Sequence, residues 1–208
     1  MEKIAENMVE VVPKTTLRER TRLAMRGEVS AIAFRLFSEQ GFEKTTVEQI
    51  AAEAGLSRTT FFRYFGNKQE IVLEKFTEFG LHVAAALAAR PAEERPWLAL
   101  RRAFDVVVDA STGDTSQSLS LMRLLSEACA LMTRQWEKTQ GWQTLLVPEI
   151  SQRLGKRGER NAPIRATALA ASAITCLDAA TDAWSACNGE IPLAVLLDQA
   201  MGALSELE

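Results

Sequence analysis

The chain has 208 residues, 47% of them hydrophobic and 25% charged, with a formal net charge of −3. That length suits one good-sized domain or a small domain joined to a larger one, and the charge excludes a protein that coats nucleic acid over its whole surface. The charge is unevenly spread: between Lys14 and Lys68 ten basic side chains outnumber six acidic ones, so this stretch carries +4 and the remainder −7. A basic end on an acidic body suits contact with phosphates at one end only. Cys129, Cys176 and Cys187 form no C-x-x-C pair, which fits a reducing compartment and buried structural thiols. The first residues lack the apolar core of a secretory signal, and no run of about 18 apolar residues suggests a membrane span. The expectation is a cytoplasmic protein.

Residues 1–16 read as a flexible arm, since Pro13 and mixed charges give no sustained pattern. From Leu17 to Gln40 the apolar residues Val29, Ile32, Ala33, Leu36 and Phe37 fall at helical spacing, and Gly41 stops the helix. A short helix follows over about Val47 to Ala54, with Thr46 and Gln49 set as a capping box. Gly55 breaks it, and Ser57 caps another short helix over about Arg58 to Phe65. Gly66-Asn67 is a turn, and a longer helix runs from about Lys68 to Ala89. The remainder reads as helices over about 97–110, 116–132, 134–155, 163–187 and 191–206, punctuated by Gly and Pro, with Pro148 expected to kink or divide the third of these. No run of alternating β-branched residues appears, so the fold class is all-α.

Two short helices joined by a Gly-containing turn make a helix-turn-helix when the second can lie in the major groove of DNA. The first carries Val47, Ile50, Ala51 and Ala54 as one buried stripe. The second turns Phe61 and Phe65 inward, which leaves Arg58, Thr59, Phe62 and Arg63, with Tyr64 nearby, as a polar and aromatic outer face.

The run FEKTTVEQIAAEAGLSRTTFFRYFGNKQEIV, Phe42 to Val72, resembles the tetracycline-repressor-like (TetR) family of bacterial regulators. The match rests on Ala33, Phe37, Gly41-Phe42, Thr45-Thr46-Val47, Ile50-Ala51, Ala54-Gly55-Leu56-Ser57, Phe61, Tyr64-Phe65 and Asn67-Lys68, without a gap, over about residues 25–75. The resemblance implies a helix-turn-helix DNA-binding domain over 17–67 and a larger helical domain over 68–208 that binds a small effector and holds two chains together. It implies a sequence-specific regulator, by default a repressor, that leaves a palindromic double-stranded operator when a small apolar effector binds. The body also resembles regulators that sense fatty-acyl thioesters.

Site roles follow residue by residue from the same resemblance. Thr46 meets phosphate at a helix N-terminus, while Ser57, Arg58, Thr59 and Arg63 meet bases and backbone. Arg58 is the base reader, because its fork matches O6 and N7 of guanine. Tyr64 and Lys68 grip the backbone, so losing Lys68 should lower the salt slope of binding by about one. Phe62 stands where the family commonly has Tyr, so a phosphate hydrogen bond is missing there and contact with sugar or a thymine methyl takes its place. The basic residues Lys14, Arg18, Arg20, Arg22 and Arg26 are candidates for phosphate or minor-groove contact.

For the effector the candidate liners are Phe104, Met122, Leu125, Cys129, Met132, Trp136, Trp142 and Trp184, since Met and Trp suit apolar ligands. For the homodimer they are Leu169, Ile174, Leu177, Leu193, Leu196, Leu197, Met201 and Leu204, with intramolecular core as the competing reading of both sets. An enzyme is the main rival class. Yet His82 is the single histidine and has no ligand-spaced partner, Asp178 and Asp182 are a bare carboxylate pair, and no phosphate-cradling loop or zinc pattern occurs. No cofactor or metal is expected. A helical interaction module without DNA binding is the third reading, and steep salt dependence of duplex binding separates the DNA reader from both rivals.

Overall fold

The computed structural model describes residues 16–112, 118–124, 135–158 and 160–205, and these hold helices and turns but no strand. Helix α1 spans Leu17–Gln40, α2 Val47–Glu53, α3 Arg58–Tyr64 and α4 Lys68–Ala88. The starts follow the capping chemistry. Thr46 accepts from the backbone of Gln49 while the Gln49 side chain accepts from Thr46 N, and Ser57 and Asn67 cap α3 and α4 in the same sense.

The turn between α2 and α3 has a specific geometry. Leu56 N donates to Ala51 O at 2.8 Å and Gly55 N to Ala52 O at 3.1 Å, the paired bonds of a Schellman motif. Gly55 sits at φ 66°, where a Cβ is strained, so the glycine fixes the angle at which α3 leaves α2.

Two apolar cores form. The smaller joins Val29, Ala33 and Phe37 of α1, Ile50 and Ala51 of α2, and Phe61 and Phe65 of α3 with Ile71 and Val72 of α4. It therefore continues past residue 67 into the first turn of α4. By contrast residues 17–24 are all exposed, so the start of α1 stands clear of either core.

The larger core belongs to the body: α5 (Pro96–Ala103), α6 (Asp105–Ser111), α7 (Gln135–Lys156), α8 (Ala162–Ala186) and α9 (Leu193–Ser205). Leu87 of α4, Leu100, Phe104, Leu146, Ile150 and Ile174 are wholly or almost wholly buried there. Residues 118–124 are helical and link the two cores. Leu119 lies in the body core, Leu124 in the small core, and Met122 packs against both.

Two expectations change. The single helix over 97–110 is two helices meeting at buried Phe104, a break that no Gly or Pro announces. Pro148 neither divides nor ends α7: the helix runs through it, with the proline on the exposed face.

Helix α7 clamps α4 at two places. Trp142, buried on α7, donates its indole N–H to Phe76 O at 3.0 Å. It lies so close to Gly80 that a Cβ there would come within 2.8 Å of its Cδ1. Eleven residues further on, buried Arg153 donates to Leu87 O at 2.6 Å, Pro91 O at 2.7 Å and Arg90 O at 2.9 Å, closing the C-terminal end of α4. The turn after α4 is tied by Glu94, whose carboxylate takes both Arg90 and Arg102. The hydrogen bond from Arg90 holds the Glu94 carboxyl below its ordinary pKa, against an opposing effect of burial. A lowered folded pKa contributes stability above the ordinary carboxylate range and loses it as pH falls through the folded value. Glu94→Gln should therefore flatten the acid limb of the stability curve, read by thermal melts between pH 7 and pH 3; an unchanged limb would remove Glu94 from the account.

Candidate nucleic-acid interface

The outward face of α3 is built by the inward one. Phe61 has no exposed surface and Phe65 is almost fully buried, with ring centroids 5.6 Å apart. Fixing those two inward sends Arg58, Thr59, Phe62 and Arg63 to the surface, where all four are exposed. Phe62 is 43% exposed, a large apolar surface in the middle of a polar face, and its ring stands edge-on to Phe61 at 5.7 Å. The Arg58 guanidinium lies 5.5 Å from the centroid of Phe62, and the Arg63 guanidinium the same distance from Tyr64. Arg58 also pairs with Glu48 across the turn, Nε to Oε1 at 3.2 Å.

The remaining predicted contacts are more committed than the sequence suggests. Thr46 is exposed, but its hydroxyl and backbone N–H are both engaged with Gln49. The Ser57 hydroxyl is shared with Thr60. Tyr64 is half-buried.

Lys68 points inward. Its Nζ donates to Phe42 O at 2.7 Å, Thr45 O at 3.0 Å and Glu43 O at 3.3 Å, and stands 4.4 Å from the Phe42 ring centroid. All three ammonium donors are thus spent on the turn that precedes α2. Lys68→Ala should weaken binding to every duplex alike and destabilise the small core by about 1.5–3 kcal/mol. The salt slope should change by clearly less than the about one unit of a lost phosphate contact. Duplex titrations across salt, with melts alongside, check this; a full unit of slope would restore a phosphate role.

Arg26 is corrected in the same way. Instead of reaching outward it bonds Glu74 of α4, Nε to Oε1 at 2.8 Å, donates to the Tyr64 carbonyl and stacks on Phe65 at 4.5 Å. It staples α1, α3 and α4 together. Arg18, Arg20 and Arg22 remain exposed on α1, and Lys14 lies outside the described residues. Two residues escaped the sequence reading: Glu48, whose partner is ten positions away, and exposed Lys44, which sits beside the start of α2 and was counted only as charge.

The body residues are also redistributed. Phe104, Trp142 and Trp184 are core, and Met122 is half-buried between the two cores. Leu125, Cys129 and Met132 lie outside the described residues, as does the side chain of Trp136. Of the expected dimer contacts, Ile174, Leu177, Leu193, Leu197 and Met201 are buried within the single chain, Leu169 and Leu196 are half-buried against its core, and Leu204 is exposed. Spacing marks an apolar face without naming its partner, and here α8 and α9 pack that face against their own chain. Exposed on α8 and α9 are Ile164, Val195 and the expected Leu204, with exposed Ile191 in the turn between the two helices. Cys176 lies where α8 meets α9, its thiol donating to Ala200 O at 3.4 Å, and burial pushes its pKa up.

Residues 31–74 match the family described as bacterial regulatory proteins, tetR family, and residues 94–207, over half the chain, match the MftR C-terminal domain. The chain belongs to the TetR family of bacterial transcriptional regulators. Among relatives of this TetR-family chain is the transcriptional regulator TcmR of Streptomyces glaucescens, 32% identical over a 145-residue alignment that covers 67% of this chain and 64% of TcmR. A second is the putative mycofactocin biosynthesis regulator MftR of Mycobacterium tuberculosis, 25% identical over 65% of this chain and 69% of its own length. The same fold occurs in a putative TetR-family regulator of Syntrophomonas wolfei, at a TM-score of 0.66 and 15% identity, covering 89% of this chain and 95% of that one. It also occurs in the repressor FadR of Thermus thermophilus, solved with lauroyl-CoA, at a TM-score of 0.60 and 22% identity over 87% and 93%. Among the described residues no helix is long and apolar enough to cross a membrane, and no group of three or more His, Cys, Asp and Glu could hold a metal ion.

Proposed function

We propose that this TetR-family regulator binds a palindromic operator as a cytoplasmic homodimer, represses from it, and leaves it when a small apolar effector binds the body. The observation that carries the reading is the outer face of α3: two arginines, a threonine and a half-exposed phenylalanine, held out by buried Phe61 and Phe65. Arg58 supplies the guanine contact and Phe62 an apolar surface for a thymine methyl or sugar. Arg63, Tyr64 and the exposed Lys44 supply phosphate contacts, with Thr46, Ser57 and Thr59 on the same side.

One seven-residue helix spans too few base pairs for a selective site, so affinity and specificity call for two half-sites. The exposed apolar residues Ile164 on α8, Ile191 in the turn after it, and Val195 and Leu204 on α9 favour those helices as the dimer contact.

Release works through α4. Its first turn belongs to the small core, while Trp142 and Arg153 of α7 hold its middle and end. A ligand that binds better when α7 or residues 118–124 shift would move α4 and change the spacing of the two α3 helices. Long-chain acyl thioesters are the first class to test, because the Thermus thermophilus neighbour holds lauroyl-CoA. Lauroyl-CoA that binds tightly and leaves operator affinity unchanged would exclude it as effector.

The reading is tested by selecting bound sequences from random duplex DNA. It expects a palindrome whose half-site contains a G·C pair that becomes degenerate in Arg58→Ala, at a cost of about 1–3 kcal/mol at that pair. A selection that enriches no sequence would reject it.

A further inference from the structure

Arg58 does not leave the surface as a free cation. Its Nε faces Glu48 Oε1 at 3.2 Å, and its guanidinium lies against the ring of Phe62. Glu48 stands in the first turn of α2 and Arg58 opens α3, so the Gly55 turn sets the distance between them. These contacts take up the Nε edge and one face of the guanidinium. The two terminal nitrogens have no hydrogen-bond partner among the described residues. Those two together form a fork that can bond O6 and N7 of guanine end-on. A long side chain held at its Nε loses less freedom when it binds than one that swings, because its planar fork is already aimed.

From this geometry we infer that Glu48 is a specificity-determining residue, which aims the Arg58 fork at a guanine and repels duplex sites that do not offer one. The inference rests on the reading that Arg58 meets a base. Glu48 acts in two ways. When Arg58 finds a guanine, the pair with Glu48 persists and is strengthened as docking removes water from around it. When Arg58 turns instead to a phosphate, the pair breaks and a carboxylate is left beside the DNA backbone. A surface ion pair with no such role contributes little to anything, and both side chains are more than half exposed.

The test compares the wild type with Glu48→Gln, Glu48→Ala and Arg58→Ala, by fluorescence anisotropy. The duplexes are the selected operator, its single base-pair substitutions across one half-site, and a random-sequence duplex. Both side chains are exposed, so melts should show all variants folded. Arg58→Ala should erase the preference for one G·C pair. Glu48→Gln and Glu48→Ala should bind random duplex several-fold more tightly and lose about tenfold of the preference at that same pair. Equal tightening on every duplex, with the preference intact, would overturn the inference while leaving the Arg58 contact standing. If Arg58→Ala leaves every preference intact, the base contact itself fails and the inference falls with it.

Discussion

Phe61→Ala should abolish duplex binding while leaving the body folded. Phe61 has no exposed surface and touches both neighbouring aromatic rings, Phe65 at 5.6 Å and Phe62 at 5.7 Å. Removing a buried aromatic ring costs about 3–5 kcal/mol, through lost transfer energy and the cavity left behind. The small core has only α1–α3, the start of α4 and Leu124 to absorb that loss, and small domains have only a few kcal/mol in reserve. The body has its own core, so the damage should stay local. Hydrogen exchange should show protection lost across α1–α3 and kept in α5, α8 and α9. Phe61→Leu, which keeps most of the volume, should recover much of both stability and binding. Protection lost uniformly, or binding retained, would show that the two cores do not behave as separate units.

Arg153→Met should produce the opposite division. Arg153 is 2% exposed, and its guanidinium bonds three backbone carbonyls at the end of α4 besides the Glu149 carboxylate at 3.0 Å. Methionine fills part of the space and satisfies none of those acceptors. Breaking a buried charged network of this kind costs about 3–5 kcal/mol. At this chain length that lowers Tm by roughly 10 °C. Arg153→Lys should recover only part of the loss, because a single nitrogen cannot stand where Nε, Nη1 and Nη2 separately meet Glu149, Pro91 O, and Leu87 O with Arg90 O. α3 packs on the other core, so duplex binding measured well below the melt should persist. A shift below about 1 kcal/mol would mean that water replaces the guanidinium without cost.

What could be read from sequence was local chemistry. The helix starts at Val47 and Arg58 follow from Thr46 and Ser57, each acting within three residues of itself. The inward face of α3 follows from two phenylalanines four apart. Partners distant in sequence were not legible. Lys68 and Arg26 read as free cations, yet one reaches back over twenty residues to the turn before α2 and the other forward to α4. Glu48 read as an ordinary acid in a first helical turn. Spacing could not assign the apolar residues of α8 and α9 to a partner either: the large ones it marks are mostly buried within their own chain. The break at Phe104 carries no Gly or Pro, so no local signal existed for it.

Whether the α3 face reads DNA sequence is decided by one titration. Wild-type protein is titrated against the selected operator and a scrambled duplex of equal length and composition, between 50 and 200 mM salt. If α3 reads DNA sequence, log affinity falls linearly with log salt for both duplexes, with the operator preferred by about 10³ or more at physiological salt. Equal affinity for the two duplexes, or no binding to either, would contradict it.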